Sequence, residues 1–165
     1  MKSSLNRLTA VERLGYGLGS TGESAIYILY SFYAMFFLTD VAKVNTVSAG
    51  AIISVSTVAN ALFVIYLGYK SDSCRSKSGR RIPFMRAAIL PAALFCIMCF
   101  SAVELPQNFK LPYYGAAVLG IIGMHTLFVL PYEALGAEIT DNFEDRNSIR
   151  NYAKFFMGIG TLLGL

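Results

Sequence analysis

Four long apolar runs constrain what this chain can fold into. They cover residues 15–38, 48–69, 86–103 and 113–137, with few charges inside any of them. A helix that crosses a bilayer needs about 20 predominantly apolar residues, within a range of about 17–25. All four runs meet that length. Composition agrees: the chain is 55% hydrophobic and 15% charged. Soluble domains sit near 45–50% apolar and about 25% charged. The runs predict an all-α, polytopic membrane protein whose first partner is the lipid bilayer.

A fifth apolar segment starts near Tyr152 and continues to Leu165. At about 1.5 Å per residue it reaches about 21 Å, short of a hydrocarbon core about 30 Å thick. It ends on GTLLGL with no flanking charge. The expectation is a chain truncated within its fifth helix, residues 1–165 forming one incomplete unit without a separate soluble domain. A helix lying on the membrane surface is the rival reading, and the even apolarity of the segment argues against it.

Net charge is +4. The basic residues cluster between apolar runs, which points to membrane orientation, not to nucleic acid. Lys2, Arg7 and Arg13 precede the first run, and only Lys43 follows it. Lys70, Arg75, Lys77, Arg80, Arg81 and Arg86 fall between the second and third; Lys110 stands alone before the fourth. Arg146, Arg150 and Lys154 come after the fourth, mixed with acids. The alternation places the N-terminus and the second and fourth loops in the cytoplasm, in a cell inner or plasma membrane. The first run is too long for a cleaved signal peptide and lacks a small-residue cleavage site. Cys96 and Cys99 have the C-x2-C spacing, but within an apolar run and beside a single histidine, His125. Apolar packing is the favoured reading over a metal or redox site. There is no nucleophile–base set and no phosphate loop, so an enzyme and a cofactor are not expected.

The block GYKSDSCRSKSGRRIPF at 68–84 is more than an anchor. Gly68 permits a close helix approach, Gly79 a turn conformation, and Pro83 suits the first turn of the third helix. Asp72 is placed to pair with a nearby arginine or to sit at a helix N-terminus. This pattern predicts a shaped loop with partners.

That block resembles the G-x-x-S-D-x-x-R-S-x-x-G-R-R-x-P signature of glycoside–pentoside–hexuronide cation symporters, the melibiose-carrier-like branch of the major facilitator superfamily. YGLGSTGESAIYILYSFYAMFFLTDV (16–41) is similar to the family's first helix, and PYEALGAEITDNFEDRNSIRNYAKFF (131–156) to its P-Y-x-A-L-x-x-E-x-T block and fifth helix. The resemblance implies a secondary transporter of a sugar or glycoside with a cation. It would have twelve helices in two halves that rock about a midplane site. This chain would be the N-terminal part, lacking the C-terminal half or a partner chain. A non-transporting membrane remnant, or a small helical subunit that pairs with another chain, is the alternative. The resemblance makes the 68–84 block a gating loop, with Gly68, Asp72, Arg75, Gly79, Arg80 and Arg81 as its working residues.

Ionisable residues within spans are costly and commonly face a cavity. Glu23, Glu133 and Lys154 qualify, as candidates for a sugar, a cation or a proton. For Glu23 a cavity wall and a pairing with another helix both stand. Glu133, two residues after Pro131, is either a buried proton carrier or an acid meeting Lys154 or Arg150. Lys154 is also readable as a snorkelling anchor, although the resemblance places it at a basic position of the sugar site. The resemblance further sets Ser24 where melibiose carriers have Asp in their first helix. It sets Asn60 and Val64 at the paired Asp positions of their cation site, and Val129 at a further Asp. Valine cannot ligate a cation, so sodium coupling of that type loses ligands there; Na and H both stay open as the coupling cation, with proton coupling through Glu23 or Glu133, or uncoupled transport, beside sodium. Tyr27, Tyr30 and Tyr33 recur every three residues and are read as packing first, with Tyr27 a candidate to stack on a sugar. His125 is read as a hydrogen-bonded packing residue ahead of a proton relay. The stretch DNFEDRNSIR is expected to lie on the membrane surface and pair with 68–84, or to be a solvated loop.

Overall fold

The computed structural model describes residues 8–74, 76, 79–140 and 142–165, with backbone alone for residue 107. Lys2, Arg7, Arg75 and Lys77 lie outside the described residues, Arg75 of the expected gate among them.

Among the described residues the secondary structure is helical: α1 (Ala10–Phe36), α2 (Thr46–Ser73), α3 (Ile82–Cys99), α4 (Gln107–Glu138) and α5 (Phe143–Gly164). Each start has a local cause. Thr9 caps α1 in a reciprocal box, accepting from the Glu12 N–H while the Glu12 carboxylate accepts from the Thr9 N–H at 2.8 Å. Asn45 accepts from the Val47 N–H at the head of α2, and Asn142 from the Glu144 N–H at the head of α5. These caps satisfy donors that no helical carbonyl can reach. Pro83 sits in the first turn of α3, where its missing N–H costs nothing. A π-helical turn, Phe37–Val41, extends α1 before the chain reverses into α2.

The first four helices, α1 with its π-helical extension, are long and apolar enough to cross a membrane. Many of their large apolar side chains point away from the bundle, among them Val55, Leu62, Ile65 and Leu90. That surface suits lipid, since a water-soluble monomer rarely exposes so much contiguous apolar area. α1 packs along α5, and α4 packs against both α2 and α3. The α1–α5 seam is close because Gly160 and Gly164 face α1: a Cβ on Gly160 would lie 2.9 Å from the Thr21 carbonyl carbon, and one on Gly164 would lie 2.7 Å from the Ala25 oxygen. Small residues let helix backbones approach in this way.

One end of the bundle is a sealed apolar plug of Leu38, Ala42, Val44, Ala49, Ile52, Cys99, Tyr114, Ala117 and Val118. The Lys110 Nζ, in the first turn of α4, donates to the Ala42 carbonyl at 2.7 Å, tying α4 to the connection between α1 and α2 there. Cys99, fully buried in this plug, serves as packing.

The opposite end carries ion pairs, and several expectations change here. The 68–84 block is a loop only in its middle: Gly68–Ser73 finish α2, and α3 begins at Ile82. Gly68 makes no close approach, because nothing lies within 4 Å of where its Cβ would stand. Gly79 does take the turn, at φ +97°, a conformation that side chains with a Cβ disfavour. α5 starts at Phe143, not near Tyr152, so most of DNFEDRNSIR is helix and not loop. Its Asn cap explains this, as do Glu144 and Asp145 in the first turn, where carboxylates oppose the helix dipole. With 22 residues, α5 is about 33 Å long at about 1.5 Å per residue.

Candidate functional site

Between the plug and the ion-paired end, the middle of the bundle is open. A cavity of about 460 Å³ lies between α1, α4 and α5. α1 supplies Tyr16, Ser20 and Glu23; α4 supplies Val129, Tyr132 and Glu133; α5 supplies Arg150, Ala153, Lys154 and Met157. Two carboxylates and two cations from three helices thus share one wall. Within it the Tyr16 and Tyr132 rings stack, with centroids 4.4 Å apart and planes 10° from parallel. The Tyr132 hydroxyl lies 2.6 Å from the Tyr16 carbonyl and 2.6 Å from the Ser20 hydroxyl, so both the ring and its polar tip are fixed.

A second cavity, of about 270 Å³, lies between α1, α2 and α4. Tyr27, Tyr30 and Ser31 meet Thr57 and Asn60 of α2 and His125 and Thr126 of α4 there. The Asn60 Oδ1 is buried without a hydrogen-bond partner among the described residues. An acceptor left so is costly unless something else donates to it.

The two cavities are joined by one contact. His125 Nε2 and Glu23 Oε1 are 2.9 Å apart, with side chains 20% and 18% exposed. Tyr27 stacks on the His125 ring at 5.4 Å. Both partners sit near the middle of their spans, Glu23 in Ala10–Val41 and His125 in Asn108–Glu138.

The candidate residues are therefore distributed in a definite way. Glu23, Glu133 and Lys154 come together in the first cavity; Tyr27 and Asn60 line the second. Ser24 reaches neither of these walls. One residue on from Glu23, it is rotated by about 100° and faces α5. There its hydroxyl donates to the Met157 carbonyl at 3.2 Å and to the Ser20 carbonyl of its own helix. Glu133 is exposed in this chain rather than buried, so burial within it does not make it a proton carrier. Tyr33 leaves the tyrosine stripe to donate to the Leu165 carbonyl.

Two pairings escaped the sequence reading. His125 has the hydrogen bond expected of it, but the partner, Glu23, was not foreseen. The signal was present: a mid-span acid and a mid-span histidine each need a polar partner in a medium that offers little. Asp145 was read as part of a surface loop. It is buried, its side chain 6% exposed, and it accepts from Arg13 Nη2 of α1 at 2.8 Å. The loop pairing that was expected of DNFEDRNSIR falls instead to Glu138 at the end of α4.

Glu138 Oε1 accepts from Arg81 at 2.9 Å and from Arg80 at 3.1 Å. Arg81 also reaches Asp72 at 2.7 Å and the Ser71 hydroxyl at 3.0 Å. One guanidinium thus clamps the end of α2 to the end of α4, which its planar fork of donors permits. Partial burial works against the Arg81 charge, but the hydrogen bond and charge of Glu138, then those of Asp72, outweigh it and its pKa is raised.

Residues 15–165 match the family described as MFS/sugar transport protein. The chain is 33% identical to the uncharacterized symporter sll1374 of Synechocystis, over 98% of this chain and 31% of that protein. It is 28% identical to the inner membrane symporter YicJ of Escherichia coli, over 99% of this chain and 35% of the relative. It is 22% identical to the isoprimeverose transporter of Lactiplantibacillus pentosus, over 92% of this chain and 32% of the relative. The chain spans about a third of the length of these curated relatives.

Proposed function

This chain belongs to the MFS/sugar transport protein family, and from that premise we propose that it is part of a secondary transporter that moves a small sugar or glycoside with a cation by alternating access. It is an integral membrane protein. The observation that carries the reading is the cavity between α1, α4 and α5, where Glu23, Glu133, Arg150 and Lys154 converge beside two stacked tyrosine rings. A sugar offers hydroxyls that act as donors and acceptors and C–H faces that lie on aromatic rings. Carboxylates take the donors, Lys and Arg supply the acceptors, and a fixed ring gives a platform. A volume of about 460 Å³ falls in the usual range for small-molecule sites, about 300–1,000 Å³. The name of the Lactiplantibacillus relative, isoprimeverose transporter, supports this solute class.

The clamp of Arg81 on Asp72 and Glu138 is the gate of this proposal. It holds α2 and α4 together at one end of the cavity, and it must break or rearrange for that end to open. Such a contact biases a two-state equilibrium by its own free energy. The Arg- and Lys-rich connections support a cytoplasmic position for this end and the N-terminus, with the apolar plug on the other side.

The experiment is uptake of radiolabelled isoprimeverose and methyl β-glucuronide by the full-length gene product in proteoliposomes. Wild type accumulates at least one of them. Lys154→Gln and Glu23→Gln each reduce kcat/KM by about tenfold or more, as loss of a charge-assisted hydrogen bond predicts. Wild-type kinetics in both variants would remove this cavity from the solute path.

A further inference from the structure

The mid-span contact between Glu23 and His125 has a property that neither residue has alone. With a neutral imidazole, the pair itself carries a net negative charge at a depth where charge is costly. With one more proton it is neutral. Nε2 is already engaged with Glu23 Oε1, so Nδ1 is the ring position left to take that proton from water.

We propose that Glu23 and His125 form a proton-binding pair whose loading is linked to occupation of the solute cavity, which makes the proton the coupling ion. This deepens the transport reading and rests on it. Three observations carry it. The pair is in contact and four-fifths buried. It bridges two cavities: His125 lines the one between α1, α2 and α4, and Glu23 lines the one between α1, α4 and α5. The charged groups around it are arranged on one side. α5 brings Arg150 and Lys154, α4 brings Glu133 and Tyr132, and α1 brings Tyr16, Tyr27 and Tyr30. α2 faces the pair's surroundings with the uncharged Thr57 and Asn60, and α3 with Ala88, Ile89 and Ala92.

The linkage follows from competition for the cations of α5. When the pair is unloaded, the negative charge of Glu23 is best compensated by Lys154 and Arg150 across its cavity. A solute that engages those cations withdraws that compensation, and proton binding at the pair restores it. Solute binding therefore favours proton binding, and by thermodynamic reciprocity the proton favours the solute. His125 also opens, with Glu23, on a third cavity between α1, α3 and α4, so the pair can be reached by a proton apart from the solute's place on the α5 side.

Two measurements on the full-length protein test this. First, nitrogen-15 histidine labelling gives a resonance for His125, assigned by its loss in His125→Gln. The resonance moves to its protonated position on acidification, as an imidazole that takes up the proton must. A resonance unmoved by acidification overturns the proposal, whether or not transport is seen. Second, lightly buffered proteoliposomes carrying an internal pH dye receive external isoprimeverose or methyl β-glucuronide. Addition acidifies the lumen, and neither His125→Gln nor Glu23→Gln gives that signal. Solute uptake by wild type without acidification overturns the coupling role. A titrating His125 in a protein that takes up neither solute sustains the proton-binding pair and counts against the transport reading instead.

Discussion

Adding one methyl group to the seam between α1 and α5 tests whether the cavity depends on glycine. In Gly160→Ala the new Cβ would stand 2.9 Å from the Thr21 carbonyl carbon, with the Thr21 oxygen and Ser24 Oγ nearer still. The serine can rotate away; the backbone of α1 cannot. Ordinary contact begins at 3.4 Å and the Thr21 oxygen is the nearest backbone atom, so the helices must part by about 1 Å. Two hydrogen bonds cross the seam there, from Thr21 Oγ1 to the Phe156 carbonyl and from Ser24 Oγ to the Met157 carbonyl, both at 3.2 Å. Parting by that amount takes them to about 4 Å, too long to count as hydrogen bonds. Each is worth about 0.6 kcal/mol between membrane helices, and overpacking costs about 1–3 kcal/mol. Alanine's better helix propensity returns at most about 1 kcal/mol. The net loss is about 1–3 kcal/mol. Gly158→Ala is the control, because it has the same propensity gain with nothing within 4 Å. The assay is thermal unfolding of the full-length protein in detergent, read by a maleimide dye that reacts as buried Cys99 is exposed. At about 2–4 °C per kcal/mol, Gly160→Ala melts below wild type and Gly158→Ala does not. Equal melting temperatures for the two variants would refute the reasoning.

Two further outcomes follow from the ion-paired end. Arg81→Lys keeps the charge but cannot hold Asp72, Ser71 and Glu138 together with one ammonium; the clamp loses about 1 kcal/mol, since two of its partners are well exposed. Cys74, half-buried at the end of α2, should then react several-fold faster with an impermeant maleimide applied from the cytoplasmic side, and an unchanged rate would show that Arg81 does not hold this end closed. Asp145→Ala leaves the partly buried Arg13 guanidinium without its carboxylate and costs about 2–3 kcal/mol, discounted from the fully buried case because Arg13 is 25% exposed. A double-mutant cycle with Arg13→Gln measures the coupling, and a value near zero would mean that the pair contributes nothing to the α1–α5 seam.

The sequence carried the membrane class, the four spans and the ion-rich end, because those depend on local quantities: run length, charge count and the placing of Gly and Pro. Boundaries were less legible. α2 runs on through polar Gly68–Ser73 and α5 begins in DNFEDR. Hydropathy cannot see a helix that continues past the bilayer, whereas an Asn cap, once weighed, predicts one. The candidate site was legible as a set of costly charges but not as an arrangement. Glu23, Glu133 and Lys154 were marked by being ionisable within spans. That they share one cavity depends on how α1, α4 and α5 pack.

By itself the sequence determined that this chain lives in a bilayer as a bundle of long helices, since apolar runs of that length have no other stable solvent. Only the tertiary structure decided which polar groups meet. Glu23 and Ser24 are neighbours in the chain, yet one turns to His125 and the cavity between α1, α4 and α5 and the other bonds to the Met157 carbonyl. Asp145 and Arg13 stand 132 residues apart and form a buried pair. Such contacts are set by helix rotation and by the glycine-lined approach of α5 to α1, long-range quantities that no local window of residues contains.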